Sequence, residues 1–282
     1  MHGERTHGGS AHESRTSARR ERWRRHFDKH WTRLLYYQLG AYGVVLLLWL
    51  APIPNPIKLL AVTFHEFSHG VAGYLTGGRV FGMAIAPNGG GVTMGVGGSM
   101  PIILVSGYIG SVLWGAALYY ASVRYRARHA LLVLMLLVFA SALIGWLNGY
   151  AILFGLGSLI VMNLLFLLPE EFQRFFVMMV GSACCLYAPL DVLGDAVSAS
   201  PLSVMGVSTG NDVSQLAALL NVSPVLVGAV VLAIQAFILV VLVRWACTWG
   251  AKFALQRESR LHKMRAHLQR DLHPEDRRIT LE

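Results

Sequence analysis

The sequence predicts an all-α polytopic membrane protein of about six to seven transmembrane helices, interrupted by one re-entrant, glycine-rich β-hairpin. Three observations predict it. Of the 282 residues, 55% are hydrophobic and only 14% are charged, against about 25% charged in soluble domains, and the mean hydropathy is +0.51. The charge is also segregated: residues 1–33 hold nine Lys/Arg and four Asp/Glu, residues 244–282 hold nine and five, and residues 34–243 hold six and six. The formal net charge of +9 therefore comes entirely from the two ends. Third, apolar segments recur at 34–52, 57–76, 101–123, 130–147, 150–168, 174–196 and 222–243, most of them near the roughly 20 residues that span a bilayer. This composition excludes a disordered chain, a coiled coil and a secreted disulfide scaffold, and it argues against a soluble enzyme, because so little polar surface cannot cover so large an apolar volume.

The organisation that follows is a disordered, basic juxtamembrane tail over 1–33, a transmembrane domain over 34–243 and a basic cytoplasmic tail over 244–282. Residues 1–20 are rich in Ser, Gly, His and Arg and are expected to be disordered. Residues 19–33 interleave basic and aromatic residues, which suits either a helix at the lipid headgroups or a plain positive flank. No cleavable signal peptide is expected, because no short apolar run opens the chain. Pro52, Pro54 and Pro56 separate the first two apolar segments, and Pro169-Glu170-Glu171 marks a later polar turn. Residues 197–221 contain Ser200-Pro201 and Gly210-Asn211-Asp212 and read as an extramembrane loop, and residues 251–272 read as a basic surface helix. Cys184, Cys185 and Cys247 match no zinc-knuckle spacing and read as small apolar filler.

Residues 77–100 break the helical pattern. Glycine is too dense there for a stable helix, and apolar residues alternate loosely around Pro87-Asn88-Gly89, the pattern of a β-hairpin. Irregular backbone at membrane depth needs protein or a water-filled cavity around it, so this hairpin is expected to line a site.

The basic ends fit anionic lipid as partner, not nucleic acid, and place both termini in the cytoplasm by the positive-inside rule. Arg124, Arg126 and Arg128 form a third basic cluster expected on the same side. Three segments lie between the N-terminus and that cluster, an odd number, so either one of them does not cross fully or one basic cluster lies on the opposite side. The segment at 57–76 is the candidate because it carries charge.

That charge is the centre of the functional reading. Of eleven histidines only His65, His69 and His129 lie within 34–243, and two of them form His65-Glu66-Phe67-Ser68-His69 in an apolar run. This is H-E-x-x-H: on a helix, positions i and i+4 share a face, so both imidazoles can reach one metal, while Glu66 is placed for a water. Ionisable residues inside a membrane segment are costly and mark function. A catalytic zinc needs a third protein ligand. His129, Glu170, Glu171 and Asp212 lie in loops or turns; Asp191 and Asp195 share a helix face in YAPLDVLGDAV. Asp191 sits deeper in apolar sequence and is the preferred ligand, with Asp195 as the alternative or as a group that orients a ligand from behind.

HEFSHG, followed by TGGRV and a glycine-rich hairpin, resembles the site-2 protease family of intramembrane zinc peptidases, and most closely its compact bacterial branch. APNGGGVT, GYIGSVLWG, LYAPLDVLGD and NDVSQLA extend the likeness over about residues 55–220. The resemblance implies Zn2+ as cofactor, His65, His69 and Asp191 as its ligands, and Glu66 as the general base. It also implies a transmembrane protein as substrate, a hairpin that holds it, and a bacterial cytoplasmic membrane as location. The chain departs from the family's L-D-G and N-x-x-P elements: Val192 follows Leu190-Asp191, and Asn163, the counterpart suggested for positioning substrate, lies 28 residues upstream of Asp191. Two other classes fit the bare residues, a non-proteolytic relative that binds membrane segments or metal and a transporter or proton relay. The intact Glu66 argues against the first, and the lack of inverted repeats against the second. Removal of residues 1–18 is expected to leave activity intact, because so polar a segment has no place in the apolar core; loss of bound zinc on that deletion would refute it.

Overall fold

The computed structural model describes residues 25, 28–29, 31–32, 35–36, 38–48, 55–198, 203–204, 207–208 and 211–272. The expected disordered tail over 1–20 lies outside them, and the described residues within 19–33 are helical. The unit that carries the site runs Gln38–Ala246.

After a short apolar helix, α1 (Gln38–Leu48), the element order is α2 (Pro56–Leu75), β1 (Arg79–Ile85), β2 (Gly91–Val96), α3 (Met100–Arg124), α4 (Ala127–Ile144), α5 (Gly149–Leu165) and α6 (Glu170–Ser198). Two-residue strands β3 (Ser203–Val204) and β4 (Val207–Ser208), then α7 (Asp212–Leu220) and α8 (Pro224–Leu272), complete it. Among the described residues four helical stretches are long and apolar enough to cross a membrane: Met100–Arg124, Ala127–Ile144, Glu170–Asp195 and Pro224–Val241. Four of the expected six to seven spans are thus seen at full length among the described residues. Over the described residues α1 and α5 are apolar but shorter, and α2 carries Lys58 and the buried His65, Glu66 and His69.

Asn55 starts α2, its side chain accepting from the backbone N–H of Ile57 and Lys58 at 3.0 and 3.2 Å, with Pro56 in the first turn. Burial runs around the whole helix from Ile57 to Gly73, which marks α2 as the central element. Leu59, Leu60, Val62 and Phe64 pack into one cluster with Leu118 of α3, Leu131 and Leu134 of α4, and Val177 and Val180 of α6. α3 and α6 approach at Gly115 and Gly181. A Cβ on Gly115 would lie 2.5 Å from the Gly181 oxygen, and one on Gly181 would lie 2.8 Å from the Gly115 oxygen. Small residues of this kind let membrane helices meet backbone to backbone. Cys184 and Cys185 are buried, free and beside this contact, in keeping with a filler role.

The hairpin forms where the sequence places it. β1 and β2 pair antiparallel from Arg79–Val96 to Ile85–Gly91, with a register shift between Val80 and Gly82. The outer edge of β1 is covered: Met83 N–H donates to the Gly145 oxygen at 2.7 Å, Leu147 N–H to the Met83 oxygen at 2.8 Å, and Asn148 Nδ2 to the Ile85 oxygen at 2.7 Å. No described strand pairs with the outer edge of β2.

The expected loop over 197–221 is corrected at its end, where 212–220 is helix. Val213, Leu216 and Ala217, spaced i, i+3 and i+4, pack against Leu104, Tyr108, Val192, Val227 and Val231, and Asn221 closes the helix at φ 55°. Asparagine and glycine around 210–211 disguise a helix start as a turn. Gly115→Val is expected to destabilise the protein by about 1–3 kcal/mol through overpacking, seen as a lower thermal midpoint in detergent. An unchanged midpoint would show that α3 and α6 do not touch there.

Candidate active site

α2 supplies His65, Glu66 and His69 on consecutive turns, all buried. The helix period aims both imidazoles at one point, and α7 meets them there with its first residue. Asp212 Oδ2 lies 3.1 Å from His65 Nε2 and 3.0 Å from His69 Nε2. The donor atoms of these three residues all fall within 4.8 Å of one another, a group that could hold a metal ion. Asp191, expected as the third ligand, is not in that group: the structure brings Asp212 to the imidazoles instead. Asp191 hydrogen-bonds the Tyr187 hydroxyl from a half-buried position on the cavity wall. The position of Asp212 has a local cause: in Gly210-Asn211-Asp212 it reads as a loop residue, but it opens a helix that packs against α3.

Both imidazoles face acceptors at both ring nitrogens. His69 Nδ1 donates to the Ile103 carbonyl at 2.7 Å, so its N–H is committed on the side away from Asp212. Ser111 Oγ donates to the Gly107 oxygen at 2.7 Å, which leaves a lone pair to face His65 Nδ1 at 3.4 Å. A neutral imidazole has one N–H. Each ring therefore turns a lone pair toward Asp212 unless a second proton, or a metal ion, occupies Nε2. Two nitrogens and one carboxylate oxygen form a donor set suited to zinc, with a position left for water.

The hairpin supplies the other wall. Thr93 Oγ1 of β2 lies 2.7 Å from Glu66 Oε2 and 2.9 Å from the Glu66 backbone oxygen, either of which can take its proton. A Cβ on Gly91 would stand 2.5 Å from Glu66 Oε1, so only glycine lets β2 come so close to this carboxylate. The rings of Tyr108 and Tyr187 meet the His65 ring edge-on at 5.2 and 5.6 Å. These elements enclose a cavity of about 380 Å³, and four of the six acidic residues in 34–243 line it: Glu66, Asp191, Asp195 and Asp212. Asn163 plays no part there: it is exposed and bonds the Leu159 oxygen of its own helix at 2.9 Å. Sequence reasoning left Asp212 and Thr93 unassigned. For Asp212 a signal existed in NDVSQLA, an N-cap asparagine followed by an amphipathic turn; for Thr93 none did, since its role depends on the hairpin folding back onto α2.

Gly107 of α3 lets the imidazoles meet, since a Cβ there would lie 2.5 Å from His69 Nε2 and 2.6 Å from His65 Nε2. Gly107→Ala is expected to lower the divalent-metal content of detergent-purified protein at least about tenfold. Wild-type metal content in that variant would mean α3 retreats without disturbing the donors.

The family model described as Peptidase M50B-like matches residues 39–242, a stretch that includes every side chain of the cavity. No curated protein and no solved structure matches the chain. With four apolar helices of membrane-crossing length, the chain is a membrane protein and belongs to the Peptidase M50B-like family of the site-2 proteases.

Proposed function

We propose that this protein is a membrane-embedded zinc endopeptidase that hydrolyses a peptide bond in or near a transmembrane segment of another membrane protein. The observation that carries the reading is the convergence of His65, His69 and Asp212 on one point, with acceptors behind both imidazoles, in a cavity that also holds Glu66. His65, His69 and Asp212 would hold the zinc, replacing Asp191 in the expected ligand set. Zinc in such a site supplies Lewis acidity to a water and to the scissile carbonyl. Ile103 and Ser111 fix the ring orientations from behind. Glu66 takes the proton of the attacking water and passes it to the leaving amine. Thr93 steadies its Oε2, leaving Oε1 available for that proton.

The hairpin suits the substrate. A transmembrane helix hides its peptide bonds in its own hydrogen bonds, so cleavage requires an extended segment. The outer edge of β2 is unpaired among the described residues, and Gly91, Val92, Thr93, Gly95 and Val96 all line the cavity. An unwound segment added along this edge by β-augmentation lies beside Glu66. The basic chain ends support contact with anionic lipid and a cytoplasmic position for both termini in a bacterial cytoplasmic membrane.

The test is zinc content and peptide cleavage by protein purified in detergent. About one zinc per chain is expected in the wild type, none in His65→Ala, little in Asp212→Ala and a wild-type amount in Asp191→Ala. Glu66→Gln should keep its zinc and cleave transmembrane-segment peptides at least about 100-fold more slowly. Freshly purified, folded protein without zinc, or unimpaired cleavage by Glu66→Gln, would sink the reading.

A further inference from the structure

We infer that Asn211, anchored through Asp195 and Tyr108, is the positioning residue that sets Asp212 at the two imidazoles. The inference rests on the zinc reading above. Asp212 opens a helix of only nine residues. The apolar contacts of Val213, Leu216 and Ala217 hold that helix against its neighbours, but such contacts are non-directional and do not fix a carboxylate to a fraction of an ångström. Directional bonds do, and they converge on the residue just before Asp212.

Asn211 uses both ends of its amide. Its Nδ2 donates to the Asp195 backbone oxygen at 2.9 Å, and its Oδ1 accepts from Ser214 N–H at 2.9 Å as the N-cap of α7. One side chain thus fastens the start of α7 to α6. The α6 end of the tie is itself held: Tyr108, fully buried on α3, donates from its hydroxyl to Asp195 Oδ2 at 2.6 Å. The Tyr108 ring meets the His65 ring at 5.2 Å, so the path runs from His65 through Tyr108, Asp195 and Asn211 to Asp212 and closes on His65. The residue type is specific to the task. Aspartate and serine cap a helix as well as asparagine does. Ionised aspartate has no hydrogen to give the Asp195 carbonyl, and the single short hydroxyl of serine lacks the reach to make both bonds.

The experiment measures zinc affinity of the full chain in detergent, by competition with a chromophoric chelator. Circular dichroism and the thermal midpoint of the metal-free protein report folding. Asn211→Asp keeps the cap and loses the donor, and its zinc Kd should rise about 10–100-fold, the usual cost of losing a partner behind a ligand. Tyr108→Phe, one oxygen smaller, should raise it by a lesser factor and decides the matter if Asn211→Asp does not fold. Asp195→Asn retains both the backbone oxygen and an acceptor for Tyr108, and should stay within about threefold of the wild type. Wild-type affinity in both folded Asn211→Asp and Tyr108→Phe would overturn the positioning role alone. So would a loss in Asp195→Asn as large as in Asn211→Asp, because charge and not the tie would then place Asp212. A wild type that binds no zinc would overturn this inference together with the zinc reading.

Discussion

A single carboxylate oxygen, Asp212 Oδ2, stands about 3 Å from two imidazole nitrogens whose rings are already committed to acceptors on their far sides. Much of the unit 38–246 can be understood as the framework that makes this encounter possible in an apolar setting. α2 must be surrounded, because His65, Glu66 and His69 have no water to solvate them away from the cavity. α3 must come close enough to offer the Ile103 carbonyl and Ser111, and it does so through Gly107, where any side chain would strike both rings. α6 must deliver Asp195 to receive Tyr108 and Asn211. The close approach of α3 and α6 at Gly115 and Gly181 serves that requirement as well as packing.

The hairpin shows how one element meets two demands. Its β1 edge is tied off by the connection between α4 and α5, with hydrogen bonds from and to residues 145–148. Its β2 strand faces Glu66 through Thr93 and Gly91 and presents the remaining edge. Edge strands are usually a liability that proteins cover or charge. Here the covered edge and the edge left unpaired among the described residues belong to the same two-stranded sheet, and residues of the second strand line the cavity. The glycine that the chain concentrates over 77–98 has a use at Gly91, where the strand touches a carboxylate. It has another at Gly82, where φ is +145° and a Cβ would lie 2.6 Å from the Gly145 oxygen.

Much of this was legible in the residues themselves. Composition and segregated charge identify the membrane class because a bilayer imposes its demands on every residue of a span. The His65-Glu66-x-x-His69 spacing announces a shared helix face because helical period is local. Asp191 and Asp212 mark where that kind of reasoning fails. Both are carboxylates near apolar sequence, and Asp191 lies in the more buried string. Their separate positions follow from the packing of α7 against α3, which no local property of either residue encodes.

The sequence by itself determined the membrane class, the glycine-rich hairpin, and the placement of His65, Glu66 and His69 on one helix, since each depends on solvation or backbone period over a few consecutive residues. Only the tertiary structure decided that Asp212 meets the imidazoles, that Thr93 holds Glu66, and that Asn211 joins α6 to α7. These contacts bring together residues 27 to 147 positions apart and a tie spanning 16. Hydrogen bonds over such separations exist only once the helices have packed, because packing sets the distances and angles they require.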